Sequence, residues 1–117
     1  MKNLIGNTPL VKISDKIYAK LETYNPSGSI KDRMAYYIIT KALARGELKQ
    51  GDTIFEATSG NTGIAMSMIG AAMDFPVIII MPRNMSEGRK CQMRIYGAKI
   101  IEEGDNAFKD AIALRDE

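Results

Sequence analysis

The sequence predicts an α/β protein in which a small antiparallel hairpin precedes a parallel sheet flanked by helices. Three observations predict it. Two short apolar segments near the N-terminus are joined by a polar turn; strand-like and helix-like patterns alternate regularly from about residue 31 onward; and Val77-Ile78-Ile79-Ile80 forms an unbroken apolar run of strand length.

The hairpin follows the turn signal Gly6-Asn7-Thr8-Pro9. Leu10 to Ile13 and Ile17 to Leu21 read as its strands, with Ser14-Asp15-Lys16 between them. After the loop Asn25-Pro26-Ser27-Gly28-Ser29, the residues Met34, Ala35, Ile38, Ile39, Ala42 and Leu43 recur at the spacing of one helix face, and Gly46 can end that helix. Ser29 is the expected N-cap, with Asp32 three residues on in the manner of a capping box, which puts Lys31 in the first turn. The alternation continues as strand Thr53 to Ala57, helix Asn61 to Met73, strand Val77 to Met81, helix Ser86 to Tyr96, strand Lys99 to Glu102 and a helix from about Asn106. Right-handed crossovers between such strands give a parallel sheet, expected here with helices on both faces and Val77 to Ile80 at its centre. No linker or internal repeat divides the chain. It reads as one unit, residues 1–30 forming the hairpin and a loop and residues 31–117 the parallel part. Phe108, Ala111, Ile112 and Leu114 continue into Asp116-Glu117 without a stop signal, so a further strand or a partner surface is expected to complete the open sheet.

Composition removes several functions. The net charge of +2 comes from 16 basic and 14 acidic residues spread along the chain, so no basic block is offered to nucleic acid. Apolar runs are too short to cross a bilayer and no leader pattern follows Met1-Lys2, which leads to the expectation of a cytoplasmic protein. Cys91 is the single cysteine and histidine is absent, so histidine-activated nucleophiles and multi-cysteine metal sites are excluded within this chain and no metal is expected. Chemistry here falls to lysine, hydroxyls and a cofactor.

Two loops carry that chemistry. Thr58-Ser59-Gly60-Asn61-Thr62-Gly63 sits where a strand meets a helix, and its hydroxyls and bare amides at a helix N-terminus suit a carboxylate or phosphate. The same residues also suit a capped turn, and the loop alone supports the two readings equally. It matches neither the dinucleotide fingerprint nor the phosphate loop ending in Gly-Lys-Ser/Thr. In Asn25 to Arg33, Lys31 stands at the positive end of a helix dipole, where an acid is the ordinary choice. That field favours a neutral amine, the form a covalent lysine must supply, although Asp32 offsets part of it.

Ile5-Gly6-Asn7-Thr8-Pro9-Leu10-Val11, the Asn25 to Arg33 segment, Thr58 to Gly63, and Met81-Pro82 with Met85-Ser86 occur in the order and approximate spacing of cysteine synthases, pyridoxal-phosphate enzymes of fold type II. The chain resembles roughly the first third of such an enzyme. The resemblance implies that Lys31 holds pyridoxal phosphate covalently and serves as base on the substrate Cα proton. It implies that Asn61 bonds the cofactor's 3-hydroxyl and that Thr58, Ser59, Gly60 and Thr62 hold the amino acid's α-carboxylate. The implied reaction is β-replacement, in which O-acetylserine loses acetate and gains sulfide to give cysteine, in a homodimer when the enzyme is complete. Cystathionine β-synthase and serine/threonine dehydratases share the fold, the lysine and the asparagine loop, and a non-catalytic binding or assembly module is the reading from a different class.

Ala57 stands where the family usually has proline, and Gly88 where it more often has Glu, a change that costs on the order of 1 kcal/mol against Ala in a helix. The family's glycine-rich loop for the cofactor phosphate and its hydroxyl partner for the pyridine nitrogen fall beyond residue 117, so these residues alone are expected to bind cofactor weakly and not to turn over. Met66, Met68, Met73, Met81, Met85 and Met93 are expected to fill gaps in the core, Cys91 to be buried, Tyr24, Tyr36 and Tyr37 to pack, and Arg83, Arg89 and Lys90 to form a solvated basic cluster.

Overall fold

In the hairpin, β1 (Leu10–Ser14) pairs antiparallel with β2 (Ile17–Lys20), with an irregularity between Lys12 and Ser14. The computed structural model describes residues 1–104 together with Lys109 and Ala113; the helix expected from about Asn106 lies outside the described residues. A short turn of helix at Glu22–Tyr24 leads from the hairpin into the loop before α1 (Lys31–Arg45). Gly46 closes α1 in the left-handed conformation, its N–H reaching the carbonyls of Ala42 and Leu43, as its position in the sequence suggested.

The remaining described elements are β3 (Ile54–Ala57), α2 (Asn61–Ala72), β4 (Val77–Pro82), α3 (Glu87–Ile95) and β5 (Lys99–Glu103), each within about two residues of its expected span. The three strands are parallel in the order β3-β4-β5, so the apolar strand is central and bonded on both sides. Two successive right-handed crossovers that step in one direction place α2 and α3 on the same face of the sheet, where they touch each other. Cover on both faces was expected, and Ile80, which alternates away from α2 and α3, is fully buried; α2 and α3 cover the other face.

That face holds the core. Val77, Ile79 and Met81 alternate toward Ile64 of α2 and Met93 of α3. A second cluster joins Ala35 and Ile39 of α1 to Ala65, Met66, Met68 and Ile69 of α2. The close approach of α2 depends on Gly63, where an added Cβ would stand 2.4 Å from Thr58 Cγ2 and 2.9 Å from Met93 Cε. Met66, Met68, Met81 and Met93 are buried and Met73 and Met85 partly so, in keeping with gap filling.

Three expectations are corrected by the packing. Cys91 is exposed because it falls on the outer side of α3, whose buried residues are Lys90 and Met93. Tyr36 packs against the α1–α2 cluster, but Tyr24 and Tyr37 face outward. The basic cluster is not a uniformly solvated surface. Lys90 is buried, donating to the Arg83 carbonyl at 2.9 Å and pairing with Glu87 at 3.0 Å and Glu102 at 3.1 Å, so it ties α3 to β5. Its aliphatic stem buries while the ammonium finds acceptors at the end of the sheet.

Candidate active site

The loop that opens α2 begins with Thr58, which is buried. Its Oγ1 accepts the N–H groups of Gly60 at 3.2 Å and Gly63 at 3.3 Å, so this hydroxyl caps the first turn from within. The first intrahelical bond runs from Ile64 N–H to the Gly60 carbonyl. This leaves the amides of Ser59, Asn61 and Thr62 without an acceptor among the described residues, at the positive end of a twelve-residue helix. From the α3 side, Arg89 donates to the Ser59 carbonyl at 3.3 Å and packs against Gly60. The Ser59–Gly60 peptide is thereby held at both its C=O and its N–H. The loop thus serves both readings: the Thr58 oxygen caps the turn and leaves its O–H to donate, while three amides and the hydroxyls of Ser59 and Thr62 remain for an anion.

The second loop does not follow the expected capping box. The residue preceding α1 is Ile30, in helical conformation and without a side-chain cap. Ser29 Oγ instead accepts the Lys31 N–H at 3.2 Å, and the fully buried Asp32 carboxylate reaches back to Ser27, accepting its N–H at 2.8 Å and its hydroxyl. The two side chains therefore do not cap each other: Ser29 serves Lys31, and Asp32 serves Ser27, two residues further back than a capping box requires.

A network that the sequence did not reveal anchors this loop to the hairpin. Arg33 Nε and NH2 donate to the Glu22 carboxylate at 2.8 and 3.0 Å, Thr8 Oγ1 donates to it at 2.6 Å, and Asn25 Nδ2 at 2.7 Å. Asn25, also buried, accepts the Gly6 N–H at 2.8 Å through Oδ1. Gly6 has φ of +82°, a conformation that favours glycine, and an added Cβ would stand 2.8 Å from Arg33 NH1 and push the guanidinium off its place. Apart from Asn25 and Glu22, these hydrogen-bonded partners are 11 to 19 residues apart, so no local pattern announces them.

Arg33 above all, then Thr8 and Asn25, hold the Glu22 carboxyl at about 2 against its ordinary 4.5. A depressed carboxyl contributes stability that is complete above 4.5 and is lost as pH falls through about 2. Glu22→Gln should therefore lower the urea midpoint at neutral pH and flatten its dependence on pH within that window relative to the unaltered chain. Identical pH profiles for the two proteins would contradict this role of Glu22.

The two loops meet at one cleft of about 460 Å³, lined by Lys20, Leu21, Glu22, Thr23, Gly28, Ser29, Ile30 and Asn61. Lys31, half-buried, follows directly on that lining. The structure thus brings Asn61 beside the loop that precedes Lys31, with the free amides of Asn61 and Thr62 at the start of α2. Among the described residues no group of His, Cys, Asp and Glu is arranged for a metal, and no helix is long and apolar enough to cross a membrane.

A profile for the pyridoxal-phosphate dependent enzymes matches residues 1–117. This chain belongs to that family. It is 46% identical to cysteine synthase B of Salmonella typhimurium (strain LT2) over 97% of its own length and 42% of the relative's. Among solved structures, it superposes on O-acetyl serine sulfhydrylase isoform 3 from Entamoeba histolytica with a TM-score of 0.85 at 40% identity, covering 97% of this chain and 38% of the other. It superposes on an O-acetylserine dependent cystathionine β-synthase from Helicobacter pylori with a TM-score of 0.91 at 33% identity, covering 98% of this chain and 42% of the other. The chain spans about two fifths of the length of such relatives.

Proposed function

We propose that this chain contributes the lysine, the ring contact and the substrate-carboxylate loop of a cysteine synthase that converts O-acetylserine and sulfide to cysteine and acetate. The observation that carries the reading is the convergence of Gly28, Ser29, Ile30 and Asn61 on one cleft at the start of α2, where the Ser59, Asn61 and Thr62 amides have no acceptor among the described residues. The residues fit pyridoxal phosphate at its ring end: Asn61 supplies an amide for the 3-hydroxyl, and Lys31 adjoins the cleft. When bound, the cofactor supplies an electron sink for the charge left at Cα.

Lys31 would hold the cofactor through its amine, and the same side chain would serve as base on the substrate Cα proton. The Ser59, Asn61 and Thr62 amides, with the Ser59 and Thr62 hydroxyls, hold the α-carboxylate and fix which Cα bond faces the lysine. Thr58 caps α2 with its oxygen and has its O–H left for the same carboxylate, and Gly60 completes the loop while admitting Arg89 against it. The higher identity to cysteine synthase B than to the cystathionine β-synthase favours sulfide over a larger thiol as nucleophile. A homodimer working in the cytoplasm completes the proposal.

The loop can be tested in this chain with L-serine as a carboxylate probe, read by amide NMR shifts. Resonances of Ser59, Asn61 and Thr62 should move on titration. Thr62→Ala should weaken the interaction about tenfold or more, the loss of one hydroxyl bond to a charged group, whereas Lys16→Ala on the exposed hairpin turn should leave it unchanged. Equal behaviour of the two variants would leave only a capped turn.

A further inference from the structure

We propose that Asp32 is a positioning residue for Lys31, a proposal that rests on Lys31 being the cofactor lysine. The Asp32 carboxylate is fully buried, and its partners among the described residues are the N–H and hydroxyl of a single residue, Ser27. Burying a carboxylate is costly, and two neutral donors compensate only in part. A helix start needs no such group, because an exposed Asp in the first turn meets the dipole equally well without desolvation.

What the buried placement adds is geometry. The bond from Asp32 to Ser27 closes a ring around Gly28, Ser29, Ile30 and Lys31, and three of those residues line the cleft with Asn61. Within the ring, Gly28 N–H bonds the Asn25 carbonyl at 2.8 Å and Ser29 Oγ takes the Lys31 N–H. Behind it, Asn25 and Arg33 are fixed on Glu22. The segment has no regular structure and exposes Pro26, Gly28 and Ile30, so apolar burial does not hold it. Its polar ties do, and Asp32 is the tie adjacent to the lysine. The ring sets the direction in which the Lys31 side chain leaves the helix.

The test is reductive trapping of pyridoxal phosphate on the 117-residue chain, with the label apportioned among Lys31, Lys41 and Lys49 by peptide mass mapping over a pH series. The exposed Lys41 and Lys49 act as internal standards in the same molecule. In the unaltered chain Lys31 should exceed them by roughly tenfold or more, the advantage of an amine held near its target. Asp32→Ala should bring Lys31 down to their level. Asp32→Asn keeps the size, can accept the Ser27 N–H and can donate to its hydroxyl, so it should restore most of the preference without moving the pH midpoint of labelling. Ser27→Ala, which removes only the hydroxyl, should lower the preference partly and serves if Asp32→Ala fails to fold. Retained preference in folded Asp32→Ala or Ser27→Ala would overturn the proposal and make the ring a stabilising contact only. Failure of Asp32→Asn to rescue, or a displaced pH midpoint, would overturn it in favour of a direct charge effect. Lack of preference already in the unaltered chain would remove the Lys31 assignment itself, an outcome recognisable because it needs no variant.

Discussion

Ile79→Ala should lower the unfolding free energy by about 2–5 kcal/mol, the range for deleting a large buried aliphatic side chain. Ile79 is completely buried in the middle of β4, against Ile64 and Met93 from two different helices. The cavity cannot close easily, because β4 is hydrogen-bonded to β3 on one side and β5 on the other and so cannot shift toward the helices. Ile13→Ala offers the contrast. That side chain is 63% exposed on the hairpin, and its loss should change stability by no more than about 0.5 kcal/mol. Urea unfolding of both variants checks the pair, and similar midpoints would mean that β4 is not the centre of the core.

Lys31→Ala should remove most of the visible absorbance change that develops when pyridoxal phosphate is added to the chain, while leaving its unfolding curve unchanged or slightly improved. The two halves of this prediction have separate causes. Lys20 lines the same cleft but donates its ammonium to the Thr8 carbonyl at 2.5 Å, and Lys41 and Lys49 are exposed away from it, so none replaces Lys31. Lys31 makes no side-chain hydrogen bond or ion pair among the described residues, and a cation in the first helical turn opposes the dipole, so its removal costs little and relieves on the order of 0.3–1 kcal/mol. A residue whose loss removes ligand chemistry without lowering stability is retained for that chemistry. A destabilised Lys31→Ala that still develops the absorbance would invert the assignment.

The elements of the parallel part were legible because each announces itself within a dozen residues. Ala35, Ile39 and Leu43 keep one helical face, although Met34 and Ile38, expected with them, are exposed; Val77 to Ile80 have no polar member, and Gly46 stands where a helix must stop. The location of both site loops was legible for the same reason, since Thr58 to Gly63 and Asn25 to Arg33 are small, polar breaks between periodic segments. The bonds inside those loops were not. Whether Asp32 turns to Ser29 or to Ser27 depends on how the chain enters the helix, which is decided by anchoring to Glu22 and Arg33 outside the loop. Nor does composition show that Thr58 spends its hydroxyl oxygen on Gly60 and Gly63.

The buried lysine illustrates another limit. In sequence, Arg83, Arg89 and Lys90 are simply three neighbouring cations, yet the fold gives them different surroundings. Lys90 is enclosed between α3 and β5 because Glu87 and Glu102 arrive from two elements to meet it, and Arg89 is drawn to the Ser59 carbonyl by the packing of α3 on α2. Periodicity places a residue on a face, but the partner across that face belongs to another segment. The exposed Cys91 next to Lys90 follows from the same turn of helix, one residue inward and its neighbour outward.

The central claim is that this chain carries its cofactor on Lys31, and borohydride trapping followed by peptide mapping of the unaltered protein tests it most directly. Reduction makes even a weakly held cofactor permanent, so the readout does not require tight binding or turnover. The account predicts a pyridoxyl label concentrated on the peptide that contains Lys31. Label concentrated on Lys41 or Lys49, or scattered evenly over the exposed lysines, would contradict it.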